Sequence, residues 1–391
     1  MNNGCTVQDI FNRFYPDYEK SLNVSAIQRK AAYHIMNCKT GAFGINISVC
    51  EGCGCISVHY NSCRDRCCPM CQEFPKEKWV DARREDVLDA PYFHVVFTVP
   101  EELNPVIYSN QKLLYDALYH AASDTLNELA SDKKHLGADI GYICILHTWG
   151  SAMNFHPHIH AIVLGGGLDA TNHWRDSGED FFLPTKAMSE LFRGKYLAEL
   201  KSLWKADRLE FHGTAGPYKN HYAFKELLDA CYARKWVSYC KKPFRGAESV
   251  IKYLGKYTHR IAISNYRIKG LSETHVTYAV KDYKNHGQWK ELTISGEEFI
   301  RRFLMHVPPK RFVRIRHYGL LSSRNKSRKI TLCRNLLGCR KYVSRLKELD
   351  APTIIKLLYH KDVCVCSSCG GKFIPLPADR YCVVPKPHLI C

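Results

Sequence analysis

Hydrophobic positions along this chain change period several times, and each change marks an element. Over residues 1–37 they fall at helical spacing: Ile10, Phe11, Phe14 and Tyr15 form one stripe, and Ala26 to Ile35 carry another. Phe93 to Val99 is β-branched and aromatic and reads as a strand, stopped by Pro100. Asn110 to Ala130 predicts a long amphipathic helix with Leu114, Leu118, Ala121, Ala122, Leu126 and Leu129 on one side. Two strands follow, one from Tyr142 to Trp149 and one running through the apolar residues Ala161 to Leu164 into Gly165–Gly167, which read as a turn. After an elaboration over 168–246, with helices from Thr185 to Leu203 and over 222–240, a helix is expected from Ala247 to Thr258. Strands are then predicted at 261–268, 275–282 and 288–294, a helix at 297–306 and a strand at 312–318.

The strand pair around Gly141–Gly167 carries the first candidate chemistry. His158 and His160 flank Ile159, and in a strand residues two apart project to the same face. His147 lies on the preceding strand. If the two strands are antiparallel neighbours, His147 completes a three-histidine site with an open coordination position. The spacing alone also suits two ordinary core histidines. His156, just before Pro157, is placed in the turn.

Charge sharpens the picture. The chain has 391 residues and a net charge of +18, and the excess is concentrated. Residues 301–347 contain fifteen Lys or Arg and no acid; residues 232–269 contain ten basic residues against Glu248. Basic blocks interleaved with Tyr, Phe and Trp suggest a polyanionic partner, with nucleic acid ahead of a membrane surface. No apolar run approaches the ~20 residues of a membrane span, and the N-terminal stretch lacks a signal-peptide layout, so a soluble cytoplasmic protein is expected.

Nineteen cysteines without a secretory signal read as metal ligands before disulfides. Cys50-x2-Cys53 and Cys68-x2-Cys71 have the spacing of one four-cysteine Zn²⁺ site, with Cys63 a further candidate and Cys38, Cys55, His59 and Cys67 nearby. Cys364, Cys366 and Cys369 resemble half of a zinc ribbon. Its other half is not evident: Cys333, Cys339, Cys382, His388 and Cys391 are all candidates.

Tyr253 and Tyr257 lie one turn apart on the 247–258 helix, surrounded by Lys252, Lys256, His259 and Arg260. Val250, Tyr253 and Tyr257 also make an ordinary packing stripe. Phenolate attack on phosphorus is the functional alternative, since it preserves the phosphodiester energy in a covalent phosphotyrosine.

The H-hydrophobic-H pair followed by Y-x3-Y resembles the two-tyrosine branch of the HUH single-strand endonucleases. The chain is most similar to rolling-circle transposases of the IS-ninety-one-like insertion sequences. Four segments carry the resemblance: NSCRDRCCPMCQ at 61–72, LHTWGSAMNFHPHIHAIVLGGGL at 146–168, KKPFRGAESVIKYLGKYTHRIAISNYRI at 241–268 and FIRRFLMHVPPKRFVRIRHYGLL at 299–321. It implies an α+β protein with a central antiparallel sheet flanked by helices. The domains implied are a helical and zinc-binding DNA-recognition domain at 1–90, a catalytic domain at 91–330 and a basic C-terminal region at 331–391. His158 and His160 would hold Mg²⁺ or Mn²⁺, with His147 the third ligand suggested by strand geometry. Tyr253 and Tyr257 would be successive nucleophiles in single-strand cleavage and rejoining through 5′-phosphotyrosine intermediates. Lys241, Lys242, Lys256, Arg260, Arg314 and Arg316 would contact DNA, either single-stranded or hairpin element ends or target DNA.

Two rivals remain at this level: a replication initiator or relaxase-type nickase, and a non-catalytic zinc-containing DNA-binding protein. Oligomeric state is left open, a monomer included. Cys67 departs from the residue type expected in the cysteine-rich stretch, which leaves the zinc ligand set open.

Overall fold

Two capped helices open the chain. In α1 (Val7–Ser21) the Thr6 hydroxyl accepts from the Asp9 backbone N–H while the Asp9 carboxylate accepts from the Thr6 N–H. Ser25 and Gln28 repeat this reciprocal arrangement at the start of α2 (Ala26–Asn37). The computed structural model describes residues 4–177, 183–244, 249–251, 253, 255, 262–282 and 285–377, without the side chains of 241–244. Strands β1 (Ile45–Cys50) and β2 (Ile56–Tyr60) form a hairpin, followed by α3 (Glu73–Arg84).

The central sheet starts with β3 (Tyr92–Thr98). After α4 (Asn104–Ser109) and α5 (Gln111–Ser131) come β4 (Asp139–Trp149), β5 (Phe155–Leu168) and the short β6 (Trp174–Asp176). Helices α6 (Thr185–Lys205) and α7 (His221–Ala233) lead to β7 (Ser238–Phe244). The helix expected over 222–240 thus stops at Ala233, and its last residues form an edge strand instead. Residues 249–251, 253 and 255 are helical, as the sequence predicts. A second sheet, β8 (Ile268–Leu271), β9 (His275–Asp282) and β10 (Gln288–Ser295), precedes α8 (Gly296–Leu304). Strand β11 (Ile315–Gly319) returns to the central sheet; α9 (Lys326–Leu337), α10 (Ala351–Tyr359) and β12 (Phe373–Pro375) finish the described chain.

The order in the central sheet is β11-β4-β5-β3-β7, with β6 added to β5, and every pairing is antiparallel. Alternation divides its two faces. Phe93, Val95, Phe97, Tyr142, Cys144, Leu146, Ile159, Ala161 and Val163 pack under α5 and α6 in the main core. The other face carries Ile143, Ile145, Ile162 and Leu164, which pack with Val250 and Ile251 of the tyrosine-bearing helix and Ile330 and Cys333 of α9. The N-terminal helices share a third core with β8, β9 and α8, where Phe11 meets Phe303 edge-on at 5.1 Å.

Gly165–Gly167 do not make the expected turn. They continue β5 because three chains converge there: a Cβ at Gly167 would stand 2.2 Å from the Asp139 carbonyl oxygen, and one at Gly166 would stand 2.3 Å from the Trp174 ring. His156 likewise belongs to β5 and not to a turn.

Candidate active site and metal centres

Register brings the three histidines together. His147 on β4 is directly opposite His158 on β5, and His160 lies two residues further along the same face. One ring nitrogen from each falls within 4.8 Å of the others, and His147 and His160 are buried. The tautomers are legible from the partners. His158 Nδ1–H donates to the His156 carbonyl at 2.7 Å, which leaves Nε2 to face His160 Nε2 at 3.1 Å. A ring fixed through Nδ1 with Nε2 turned toward its fellow histidines is the arrangement of a metal-ligating histidine.

A fourth histidine joins the cluster, and sequence reasoning passed over it. His94 on β3 is 3% exposed and stands diagonally across from His160, with its Nε2 at 2.8 Å from His160 Nδ1. Its other nitrogen, Nδ1, lies 2.5 Å from the Tyr253 hydroxyl. Tyr253, His94 and His160 therefore form one hydrogen-bonded chain from the helix to the histidine cluster. The available signal was a histidine between Tyr92 and Val96 on the alternation opposite Phe93, Val95 and Phe97 of a largely apolar strand. Tyr257 lies outside the described residues, as do Lys252, Lys256, His259 and Arg260.

The thiols sort differently from the spacing-based expectation. Cys68 and Cys71 meet Cys38 and Cys63, whereas Cys50 and Cys53 meet Cys366 and Cys369; within each group the sulfurs lie within 4.8 Å of one another. The single site of Cys50, Cys53, Cys68 and Cys71 is thus corrected to two groups. The physical reason is the β1–β2 hairpin, which carries the first knuckle away from the second and toward the C-terminal strand β12. In the first group Cys63 and Cys71 are 3.8 Å apart, and hydrogen bonds from Cys63 and Cys68 hold the Cys71 thiol well below its ordinary pKa. Cys67 is buried beside Asp65 and Arg314 outside both groups, and burial pushes its thiol up to about 12. That environment suits a packed, protonated thiol and not a ligand.

Two protein families match the chain. One described as "Putative transposase" covers residues 141–329, which include the histidines and Tyr253; one described as "Transposase zinc-binding domain" covers residues 10–99. A curated relative named "Putative transposase y4qJ", from Sinorhizobium fredii (strain NBRC 101917 / NGR234), is 41% identical over 338 residues, 86% of this chain and 85% of its own. The chain belongs to the IS91/IS801 family of transposases. A second relative, "Transposase for insertion sequence element IS801" from Pseudomonas savastanoi pv. phaseolicola, is 27% identical over 305 residues, covering 76% of this chain and 71% of that one. No solved structure matches.

For this transposase, the match over 10–99 makes Zn²⁺ the metal of the cysteine-rich region, and Cys38, Cys63, Cys68 and Cys71 all fall inside it. No helix among the described residues is long and apolar enough to cross a membrane. Two of the expected DNA contacts have internal partners. Arg316 pairs with the Asp116 carboxylate and stacks 4.0 Å above the Tyr119 ring; Arg314 stands 5.9 Å from the Trp149 ring, its pKa lowered by burial. The strand expected over 312–318 begins only at Ile315, so Arg314 precedes β11 while Arg316 lies on it, and both side chains turn toward aromatic rings. The side chains of Lys241 and Lys242 lie outside the described residues.

Proposed function

We propose that this transposase cleaves and rejoins single-stranded DNA through 5′-phosphotyrosine intermediates, as an HUH-type endonuclease of rolling-circle transposition. The observation that carries the reading is the chain Tyr253–His94–His160, which couples a candidate nucleophile to the three-histidine cluster over 2.5 and 2.8 Å.

The donor set fits a divalent ion: three imidazoles, each able to offer one nitrogen, converge on one side of the sheet. Mg²⁺ or Mn²⁺ bound by His147, His158 and His160 would supply a Lewis acid for the scissile phosphate. The protein's own groups do the rest. With Nε2 reserved for the ion, His160 carries its proton on Nδ1 and donates it to His94 Nε2. His94 must then carry its proton on Nδ1 and donate to the Tyr253 oxygen. His94 in that tautomer holds the phenolic oxygen in place and stabilises negative charge on it, while the hydroxyl proton leaves to solvent. Attack forms the Tyr253 Oη–P bond and breaks the P–O3′ bond; the departing oxygen takes up a proton as a free 3′-OH. Tyr257, four positions on in the sequence, would serve the second cleavage.

The test is a suicide-cleavage assay on labelled single-stranded DNA from the flanks of the element, with Mn²⁺ or EDTA. A Mn²⁺-dependent covalent adduct that survives Tyr253→Phe or Tyr257→Phe alone but not both is the expected result. Salt-sensitive binding without any adduct would favour a non-catalytic DNA-binding protein, and loss of the adduct on one change alone would mean a single-tyrosine enzyme.

A further inference from the structure

The second thiol group joins the β1–β2 hairpin to the segment that leads into β12. We propose that Cys50, Cys53, Cys366 and Cys369 form a separate structural zinc site, a ribbon whose halves are separated by more than three hundred residues. Geometry supports this first. A tetrahedral ZnS₄ centre with Zn–S of ~2.3 Å has sulfur–sulfur edges of about 3.8 Å. Cys53 and Cys366 are 3.8 Å apart, Cys50 and Cys369 are 3.4 Å apart, and all four sulfurs fall within 4.8 Å.

The two halves also have the same backbone design. Each reads Cys-x-x-Cys-Gly, and the glycine after the second cysteine has a positive φ, +72° at Gly54 and +73° at Gly370. In the first half Gly54 N–H donates to the Cys50 carbonyl at 2.9 Å and Cys50 N–H to the Cys55 carbonyl at 2.9 Å. In the second, Gly370 N–H donates to the Cys366 carbonyl at 2.9 Å and Cys366 N–H to the Gly371 carbonyl at 2.8 Å. Both loops are knuckles that turn two thiols toward one point, and they face each other. Space is reserved as well: a Cβ at Gly371 would lie 2.8 Å from Cys50 Sγ and 3.2 Å from Cys369 Sγ. Pairing of β1 with β12, Cys50 opposite Phe373, holds the halves in register. Two facing thiol pairs without an ion would give this small sheet almost no core, since Ile56, Val58, Tyr60 and Ile374 are exposed.

The experiment uses native-state alkylation of the full-length, zinc-loaded protein, mapped by mass spectrometry. Exposure alone would make Cys53 and Cys369 react like their equally exposed neighbours Cys55 and Cys364. Zinc ligation predicts that Cys50, Cys53, Cys366 and Cys369 are protected together while Cys55 and Cys364 are modified, and that chelation exposes all four at once. Modification of Cys366 and Cys369 at the rate of Cys364 in the zinc-loaded protein would overturn the proposal. Metal analysis adds a second readout: Cys50→Ser/Cys53→Ser and Cys366→Ser/Cys369→Ser should each lose one zinc per chain, and the fourfold variant still only one. A loss of two in the fourfold variant would mean two independent sites and refute the shared one.

Discussion

His94→Leu isolates the link between the tyrosine helix and the histidine cluster. The substitution keeps an apolar side chain of similar bulk on β3 and removes two hydrogen bonds, one of 2.8 Å to His160 and one of 2.5 Å to Tyr253. Loss of an outer-shell partner of a ligating histidine typically costs about 10–100-fold in metal affinity or activity, or roughly 1.4–2.8 kcal/mol. The lost bond to buried His160 is of the same size, about 1–3 kcal/mol. The assay is adduct formation against Mn²⁺ concentration in a Tyr257→Phe background, so that only Tyr253 can act. Half-saturation should move to Mn²⁺ concentrations about 10–100-fold higher, and a slower rate should persist at saturation because Tyr253 has lost its anchor. His94→Gln, which keeps a donor and an acceptor, should recover part of both. Unchanged half-saturation together with an unchanged saturating rate in His94→Leu would refute the coupling.

Three further outcomes follow from the packing. His306 is buried, accepts from the Thr148 hydroxyl and donates to the Met153 carbonyl, and burial pushes its pKa down to about 4. A depressed histidine stabilises the fold fully above its unfolded pKa of about 6.5, and that contribution is lost as pH falls toward 4. Between pH 7 and pH 5 the wild type should therefore lose about 2 kcal/mol in urea unfolding that His306→Gln does not lose. Asp81 on α3 accepts from Tyr342, Ser344 and the Leu346 N–H, so Asp81→Ala should free the 342–346 strap at a cost of about 3 kcal/mol, seen as lost amide protection there and faster cleavage at Arg345. Gly167→Ala would force a methyl against the Asp139 carbonyl and should cost about 1–3 kcal/mol in thermal or urea unfolding, whereas Gly194→Ala, on a helix with nothing within 4 Å, should not destabilise.

Local patterns were legible where a single element decides them. Helices α1, α2, α5 and α6 and strands β3, β4, β9 and β10 fall within a few residues of the hydrophobic periodicity. The His158–Ile159–His160 face is likewise a property of one strand. His147 required one more step, the register between β4 and β5, and a hairpin with short separation allowed it. His94 required a second pairing, β3 against β5, across an intervening helical segment, and no motif marks a lone histidine in FHVVFTV. The cysteines show the limit most clearly. C-x2-C spacing identifies a knuckle but not its mate, and here proximity in sequence pointed to Cys68 and Cys71 whereas β1–β12 pairing selects Cys366 and Cys369. The three glycines show it again, because close approach of three chains and a turn leave the same letters.

The β1–β12 pairing also sets a timetable. Cys50 and Cys369 are 319 positions apart, so on a ribosome adding roughly 10 residues per second the N-terminal hairpin waits about half a minute for its third strand. During that interval Cys50 and Cys53 are thiols without their second knuckle, close in sequence to a set that can already close on its own ligands. A chain cut short before Cys366 lacks the second pair of thiols and β12, and its first strand keeps one open edge. The β1–β12 pairing is thus open only to chains translated past Pro375, so the N-terminal hairpin completes its sheet late in synthesis.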